Sequence, residues 1–421
     1  MTAAVMEAPA RLVVRNWKAP VTFGIFALIA VVLFIVLGRG GETTYRLSGG
    51  SDLIQLPPLV VPVAATTLVI TVALIVLAVL ATWMVATGRH VRLWISVVFA
   101  VLFLVGFLTW AAAGQNLPVP GLLIGTVGIS VPIIFGALGG VISERAGVIN
   151  VAIEGQLLGG AFTSAVVASV TGNPYLGLIG AVIAGVLVSL ILAVFAIRYW
   201  VDQVIVGVVL NVFVTGLTSF LYSTVLSKNA EALNSPPRFP VVEIPILSQI
   251  PILGPALFRQ TIIVYAAYIA VAAVYVCLFH TKWGLRVRAV GEHPQAADTV
   301  GIRVNATRFW SVSIAGAVAG LGGAYFTLGA VGSFQQDMTA GLGYIALAAV
   351  IFGRWDPIRA TLAALLFGFA TNLQYVLSVI GSPVPSEFML MLPYVVTIVA
   401  VAGLVGRVRG PAAAGLPYAS R

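Results

Sequence analysis

Long apolar runs separated by short polar segments make up most of the chain. A hydrocarbon core of about 30 Å takes roughly 17 to 25 helical residues to cross. Runs of that kind stand at 21–37, 58–85, 93–112, 121–142, 148–170, 177–197, 203–226, 261–280, 309–332, 341–353, 359–380 and 388–406. Each predicts an α-helix, because backbone groups inside a bilayer have no water to bond and must satisfy one another. The pattern predicts an all-α, polytopic membrane protein with about twelve transmembrane helices. The tenth run, 341–353, is short for a full crossing. It reads as a span that begins earlier, or as a re-entrant or broken segment packed inside protein. The first run starts only at Val21 and leads into Gly38-Arg39-Gly40-Gly41-Glu42, with no small-residue cleavage site, so it reads as a span and not as a signal peptide.

Charge orients these spans. With the N-terminus inside, 17 of the 22 lysines and arginines fall on cytoplasmic segments, and only Arg39, Arg46, Lys228, Arg238 and Arg259 fall outside. That asymmetry predicts an even number of spans with both termini in the cytoplasm. The short tenth run is kept as a crossing because dropping it would break the alternation.

Two polar segments differ from the rest. Residues 227–260 lie outside and carry Pro236, Pro237, Pro240, Pro245, Pro251 and Pro255, which exclude one long helix and suggest a cap over the outer mouth. Residues 281–308 lie inside and hold five basic side chains. The first three spans, within residues 1–113, are plain Leu/Val/Ala/Ile runs and read as an N-terminal appendage to a transmembrane domain over 114–421. Further along, glycines recur at small-xxx-small spacing, as in Gly136/Gly140, Gly155/Gly159 and Gly316/Gly320, which lets helices approach closely in lipid.

Composition narrows the function. Hydrophobic side chains make up 60% of the 421 residues and charged ones 8%, far below the roughly 25% of soluble domains. This excludes a soluble enzyme and a disordered scaffold. The net charge of +9 follows from cytoplasmic Lys and Arg, so no nucleic-acid partner is implied and membrane lipid is the surrounding medium. Cys277 is the single cysteine, which excludes an intrachain disulfide and a cysteine-based metal site. His90, His280 and His293 show no HExxH spacing, no GxSxG elbow is present, and Lys18, Lys228 and Lys282 lie in no GxxxxGK[ST] loop. The chain is expected to bind no metal or cofactor and to carry no ATPase site of its own. If it drives active transport, another subunit hydrolyses the ATP.

Glu154 is the most unusual residue. A carboxylate within a span costs at least about 2.5–3.5 kcal/mol on insertion scales and is expected to face the bundle interior or a watery cavity. Asn150 precedes it by one helical turn. Two readings stand: the pair lines a solute path, or Glu154 accepts hydrogen bonds that fix a helix break near Gly147 and Gly155. With Gln156, Asn211, Asn372 and Gln374, these residues form a candidate translocation-pathway set suited to a polar, uncharged solute. There is no ladder of ionisable groups, which disfavours a stand-alone secondary carrier of a small neutral solute. A membrane-embedded transferase or structural subunit is disfavoured by the lack of a catalytic cluster.

In the inner segment, Pro294 suits the first position of a helix and Gly301 the position just past its end. The predicted helix, 294–300, is too polar to insert and too short to stand alone, so it needs a protein surface to dock on.

The segment TKWGLRVRAVGEHPQAADTVGI at 281–302 resembles the coupling loop of bacterial ABC importer permeases of the branched-chain amino acid, ribose and nucleoside class. SERAGVINVAIEGQLLGGAF at 143–162, DQVIVGVVLNVFVTGLTSFL at 202–221 and GSFQQDMTAGLGYIALAAVIFGRWDPIRATLAALLFG at 332–368 agree. Within that class the strings are most similar to the second permease subunit of nucleoside importers. The resemblance covers about 121–406 and leaves the N-terminal appendage outside. It implies a permease subunit in the bacterial inner membrane, passing nucleosides or related small polar solutes. It implies as partners a second permease subunit, two ABC ATPase subunits that hydrolyse ATP beneath it, and an extracellular solute-binding lipoprotein. It further implies that the 294–300 helix docks in a groove of the ATPase, with Ala296 and Ala297 at the centre between Pro294 and Gly301, and Arg286, Arg288 and Glu292 at the rim.

Overall fold

A computed structural model describes residues 17–50, 52, 54–382, 384, 385, 387–389, 391 and 409–419. Among them are ten helices long and apolar enough to cross a membrane. The expected twelfth span, 388–406, falls almost wholly outside the described residues. The described residues form two compact units, one within Met1–Arg46, Pro57–Pro118 and Leu377–Met389, the other within Leu47–Leu56, Val119–Val376 and Leu390–Arg421.

The first unit packs α1 (Lys18–Val36), α2 (Val63–Ala86) and α3 (Leu93–Ala111). Phe23 stacks on Phe99 with ring centroids 4.2 Å apart, and Phe26 meets Phe103 edge-on at 5.0 Å. β1 (Glu42–Arg46) pairs antiparallel with β2 (Leu59–Pro62) and parallel with β3 (Asn116–Pro118). Threonines within these helices bond back onto their own turns, as Thr67 Oγ1 does to the Val63 carbonyl at 2.8 Å. Their hydroxyls therefore need no polar partner in lipid.

The second unit is built around α4 (Val119–Arg145), α5 (Ile153–Thr171), α6 (Pro174–Arg198) and α13 (Val304–Val331). Around these stand α7 (Gln203–Leu226), α10 (Ile262–His280) and α15 (Pro357–Val379). Capping sets several boundaries: Gly172 ends α5 at φ +64°, Asn173 and Pro174 start α6, and Asp202 accepts the Val204 and Ile205 amides to start α7. Glycines join the central helices at backbone distance. Gly160 lies against Gly320, Gly316 against Gly185 and Ser189, and Gly323 against the Leu157 carbonyl. α7 turns Val206, Leu210 and Val214 inward and Ile205, Val209, Val212 and Phe220 outward.

The proline-rich loop holds only short elements: α8 (Ala230–Leu233), β4 (Val241–Glu243), a 3₁₀ turn, α9 (Leu253–Leu257) and β5 (Arg259–Thr261). β4 and β5 pair antiparallel, with Arg259 and Glu243 in a 2.8 Å ion pair. Asn234 clamps Phe334 by two hydrogen bonds, and the Phe239 amide bonds the Leu328 carbonyl. The loop thus covers the end of the bundle where α13 finishes.

At the opposite end lie α11 (Lys282–Glu292) and α12 (Pro294–Thr299). The sequence predicted only the second of these, which starts at Pro294 as expected and stops before Gly301 at φ +82°. The tenth expected span is α14 (Leu342–Phe352), a helix of 11 residues, about 16 Å long at 1.5 Å per residue and so about half a crossing.

The glycine seam yields a test. A Cβ at Gly316 would overlap Ser189 Oγ and the Gly185 carbonyl, whereas one at Gly216 would meet nothing. Gly316→Val should destabilise the detergent-solubilised protein by about 1–3 kcal/mol, read as a lowered Tm, while Gly216→Ala leaves the Tm within a degree or two.

Candidate functional site

Two helices begin inside the bundle, and they begin against each other. α5 follows a non-helical stretch, 146–152, that opens with Gly147 at φ +90°. Ile153 packs where side chains at Gly136 and Gly140 of α4 would stand, about 8–14 Å along the helix axis from Arg145. The fifth predicted span is therefore a loop that enters the bundle and a helix that starts within it. α14 mirrors this from the other end. Residues 332–341 descend from the Asn234 clamp through left-handed Asp337, Ala340 and Gly341, and α14 then carries the chain toward Arg145.

Glu154 joins the two starts. Its carboxylate accepts hydrogen bonds from Thr339 Oγ1 at 2.6 Å, the Gly341 amide at 2.9 Å and the Gly343 amide at 2.6 Å. A helix start leaves its first amides without partners and carries partial positive charge. Glu154 supplies acceptors and a compensating charge from a neighbouring helix, and it is only 5% exposed. Gly343 must be glycine because the Glu154 backbone occupies the place of its Cβ.

Asn211, projecting from α7, holds the α5 side of the junction. Its Oδ1 accepts from the Gly155 amide at 2.9 Å, and its Nδ2 donates to the Val151 carbonyl at 2.9 Å and to Tyr344 Oη at 3.1 Å. Asn150 and Gln156 exchange two amide hydrogen bonds, at 3.1 and 3.2 Å, and Gln156 donates a third to Ser189 Oγ at 2.9 Å. Ser143 Oγ donates to the Val148 carbonyl, and Gln203 Oε1 accepts the Ile149 amide. Ser143, Gln203, Asn211 and Glu154 thereby satisfy backbone groups at the two helix breaks that would otherwise be stranded at depth, while Asn150, Gln156 and Ser189 satisfy one another.

Four of the six pathway candidates, Asn150, Glu154, Gln156 and Asn211, are thus buried together around the start of α5, in hydrogen-bonded groups that the local backbone connects. Asn372 and Gln374 sit apart on α15, where Asn372 Nδ2 donates to the Leu122 carbonyl at 2.7 Å, near the other end of α4. Ser143, Ser189, Gln203, Thr339 and Tyr344 complete these groups and were missed. Gln203 carried a signal, since it is the one polar residue between the Asp202 cap and a long apolar run. Ser189 and Tyr344 carried none, because isolated hydroxyls are ordinary in such helices.

The end near Arg145 is also ordered by polar side chains, buried Glu144 and half-buried Arg145. Glu144 accepts a hydrogen bond from Trp355 Nε1. Arg145 donates to the carbonyls of Trp355 and Arg354, two residues in left-handed backbone. Arg145 and Arg288 both lie over the Phe279 ring. The placement of the docking candidates differs from expectation in one respect. Arg286, Glu292, Ala296 and Gly301 are exposed and Arg288 half-buried, but Pro294 and Ala297 are buried. Ala297 is 3% exposed and packs on Val290, Val304 and Tyr418. Helical periodicity turns it inward, so Ala297 has no face for a partner and Ala296 does.

Residues 122–401 match the family described as branched-chain amino acid transport system / permease component. The chain is 42% identical over 308 residues, 70% of its length and 94% of the relative's, to the guanosine ABC transporter permease protein NupQ of Bacillus subtilis. It is 40% identical over 299 residues, covering 69% and 93%, to the nucleoside ABC transporter permease protein NupC of Lactococcus lactis. The glucose ABC transporter permease protein TsgB13 of Haloferax volcanii is 28% identical over 252 residues, covering 56% and 65%. No solved structure matches.

Glu154→Ala removes one acceptor group from three buried donors and should cost about 3 kcal/mol or more, seen as poor assembly or lost monodispersity. Glu154→Gln keeps oxygen for part of that bonding and should be milder. An Ala variant as stable as the parent would deny the junction its importance.

Proposed function

This chain belongs to the family of branched-chain amino acid transport system permease components, and from that membership we propose that it passes an uncharged polar solute, a nucleoside or a close analogue, through an ATP-driven importer. It is a multi-pass protein of the bacterial inner membrane and a permease-type, non-catalytic subunit. The partners we assign are a second permease subunit, two ABC ATPases and an extracellular solute-binding lipoprotein. The orientation we assign puts both termini in the cytoplasm, with twelve crossings, one of them made by 332–341 and α14 together. Residues 1–113 form an appendage outside the transport domain, a division supported by the start of the family match at residue 122.

One observation carries the choice of solute. Broken helices inside a transporter often aim their positive N-termini at an anionic group of the cargo. Here the start of α14 is already neutralised by Glu154, and the start of α5 is held by Asn211. The junction leaves no unmatched positive charge for a carboxylate, so an amino acid cargo is not favoured and a neutral one is. The relatives named for guanosine, nucleoside and glucose transport agree with this.

In operation, ATP binding draws the two ATPases together, and their movement shifts α11 and α12. The exposed residues Arg286, Glu292, Gln295, Ala296 and Thr299 form the docking face. The hydrogen-bonded groups of Asn150, Glu154, Gln156 and Asn211 border the pathway and keep its two helix breaks in register.

Labelled guanosine should enter vesicles that contain the whole complex, in an ATP-dependent manner, and unlabelled leucine in excess should not compete. Leucine uptake in place of guanosine would overturn the choice of solute. Ala296→Arg, at the exposed centre of the docking face, should uncouple ATP hydrolysis from uptake without lowering the Tm. Ala297→Arg should do the opposite, unfolding the packing beneath α12 first and costing about 1–3 kcal/mol or more.

A further inference from the structure

Segment 409–419 has no part in the assignment above, yet it touches α11, α12, α13 and the loop before α5. The Ala413 amide donates to the Gly291 carbonyl at the end of α11, at 2.9 Å, and the Gly415 amide donates to the Gly147 carbonyl at 3.2 Å. One short stretch thus bonds, two residues apart, to the docking element and to the loop that leads into α5. Arg308, 2% exposed, donates from Nη1 to the Leu416 carbonyl at 2.8 Å. Tyr418 lies in the cluster of Val290, Ala297 and Val304, and its hydroxyl bonds Asp298 Oδ2 at 2.7 Å. Among the described residues this is the one tertiary hydrogen bond made by a side chain of α12.

We propose that segment 409–419 is the mechanical link that carries movement of α12 to the loop at 146–152 and so to the helix break at Glu154, with Tyr418 and Asp298 as its positioning residues. This rests on the reading of α12 as the ATPase-docking element. Three features support it. The link's contact with α12, through Tyr418 and Asp298, is on the buried side of that helix, while the Ala412 amide also bonds the carboxylate of Glu292 at the rim of the docking face, at 3.3 Å. It ends on Gly147 and Ile149, whose side chain packs beside Gly415, only a few residues before Glu154. It is held by a buried guanidinium, whose Nε and Nη2 have no partner among the described residues, so its departure would strand a charge and is resisted. A displacement of α12 therefore drags the segment with it instead of sliding past.

The test uses the complete complex reconstituted with its ATPases and binding protein, measuring labelled solute uptake and solute-stimulated ATP hydrolysis together. Tyr418→Phe removes only the hydroxyl, and Asp298→Ala only its acceptor. Each should lower solute moved per ATP by severalfold while hydrolysis stays within twofold and the Tm is unchanged. Asp298→Asn keeps an oxygen acceptor and should restore the ratio to near the parent value. A purely structural contact would lower the Tm and both activities in parallel, which would overturn the proposal. So would parental uptake-to-hydrolysis ratios in both Tyr418→Phe and Asp298→Ala. Deletion of 409–421 should uncouple more strongly; if that variant does not assemble, the two point variants decide. A parental complex in which solute fails to stimulate hydrolysis at all would instead overturn the importer reading, and this inference with it.

Discussion

A carboxylate buried among backbone amides holds the middle of this protein together. Without Glu154, the loop before α5 and the loop before α14 would be two unrelated interruptions, each with unpaired donors deep in a bilayer. With it, the donors of one interruption meet the acceptor of the other. The arrangement is reciprocal in its effect: α14 gains an acceptor and a negative charge at its start, and the carboxylate gains three donors that make its burial tolerable. Asn211, Asn150, Gln156 and Gln203 then hold the surrounding backbone, and the glycines of α4 let both half-helices pack close enough for the contact to form.

This junction also bears on the neutral cargo proposed for the chain. Two charged side chains of the bundle are engaged in holding its backbone. Glu154 is taken by α14, and Arg145 by the left-handed turn at 354–355. A neutral polar solute, as proposed for this chain, asks no charged partner of the junction.

Much of the architecture was legible in the sequence because spans are long and uniformly apolar, and that same uniformity hid the rest. The existence of α1 to α7 could be read from run length alone. Which face of α7 turns inward could not, since Val206 and Val209 look alike and only the fold distinguishes them. Glu154 stood out because a carboxylate is rare in a span, and both readings of it were visible; the bonds to Thr339 and Gly341 join positions 185 and 187 residues away, which no local pattern encodes. α12 was legible through Pro294 and Gly301, but α11 was missed because Gly284 and Gly291 argue against helix. Those glycines are there for close approach, to the carbonyls of Cys277 and Leu278 and of Arg145. The inward turn of Ala297 was hidden for a related reason: its partner, Tyr418, is far along the chain.

The glycine seam between α5, α6 and α13 limits how such a protein can move. Where side chains interdigitate, a helix can creep along its neighbour by small rotamer adjustments. Where backbone lies on backbone, as at Gly160 against Gly320 and Gly185 against Gly316, there are no rotamers to adjust. A shift of one residue would bring a Cβ into a carbonyl. The three helices are therefore keyed together like a single casting, and whatever rocks during a transport cycle must rock around that block and not within it. The half-length α14 meets that block at Glu154, so the broken helix is tied to the part of its unit least able to shear.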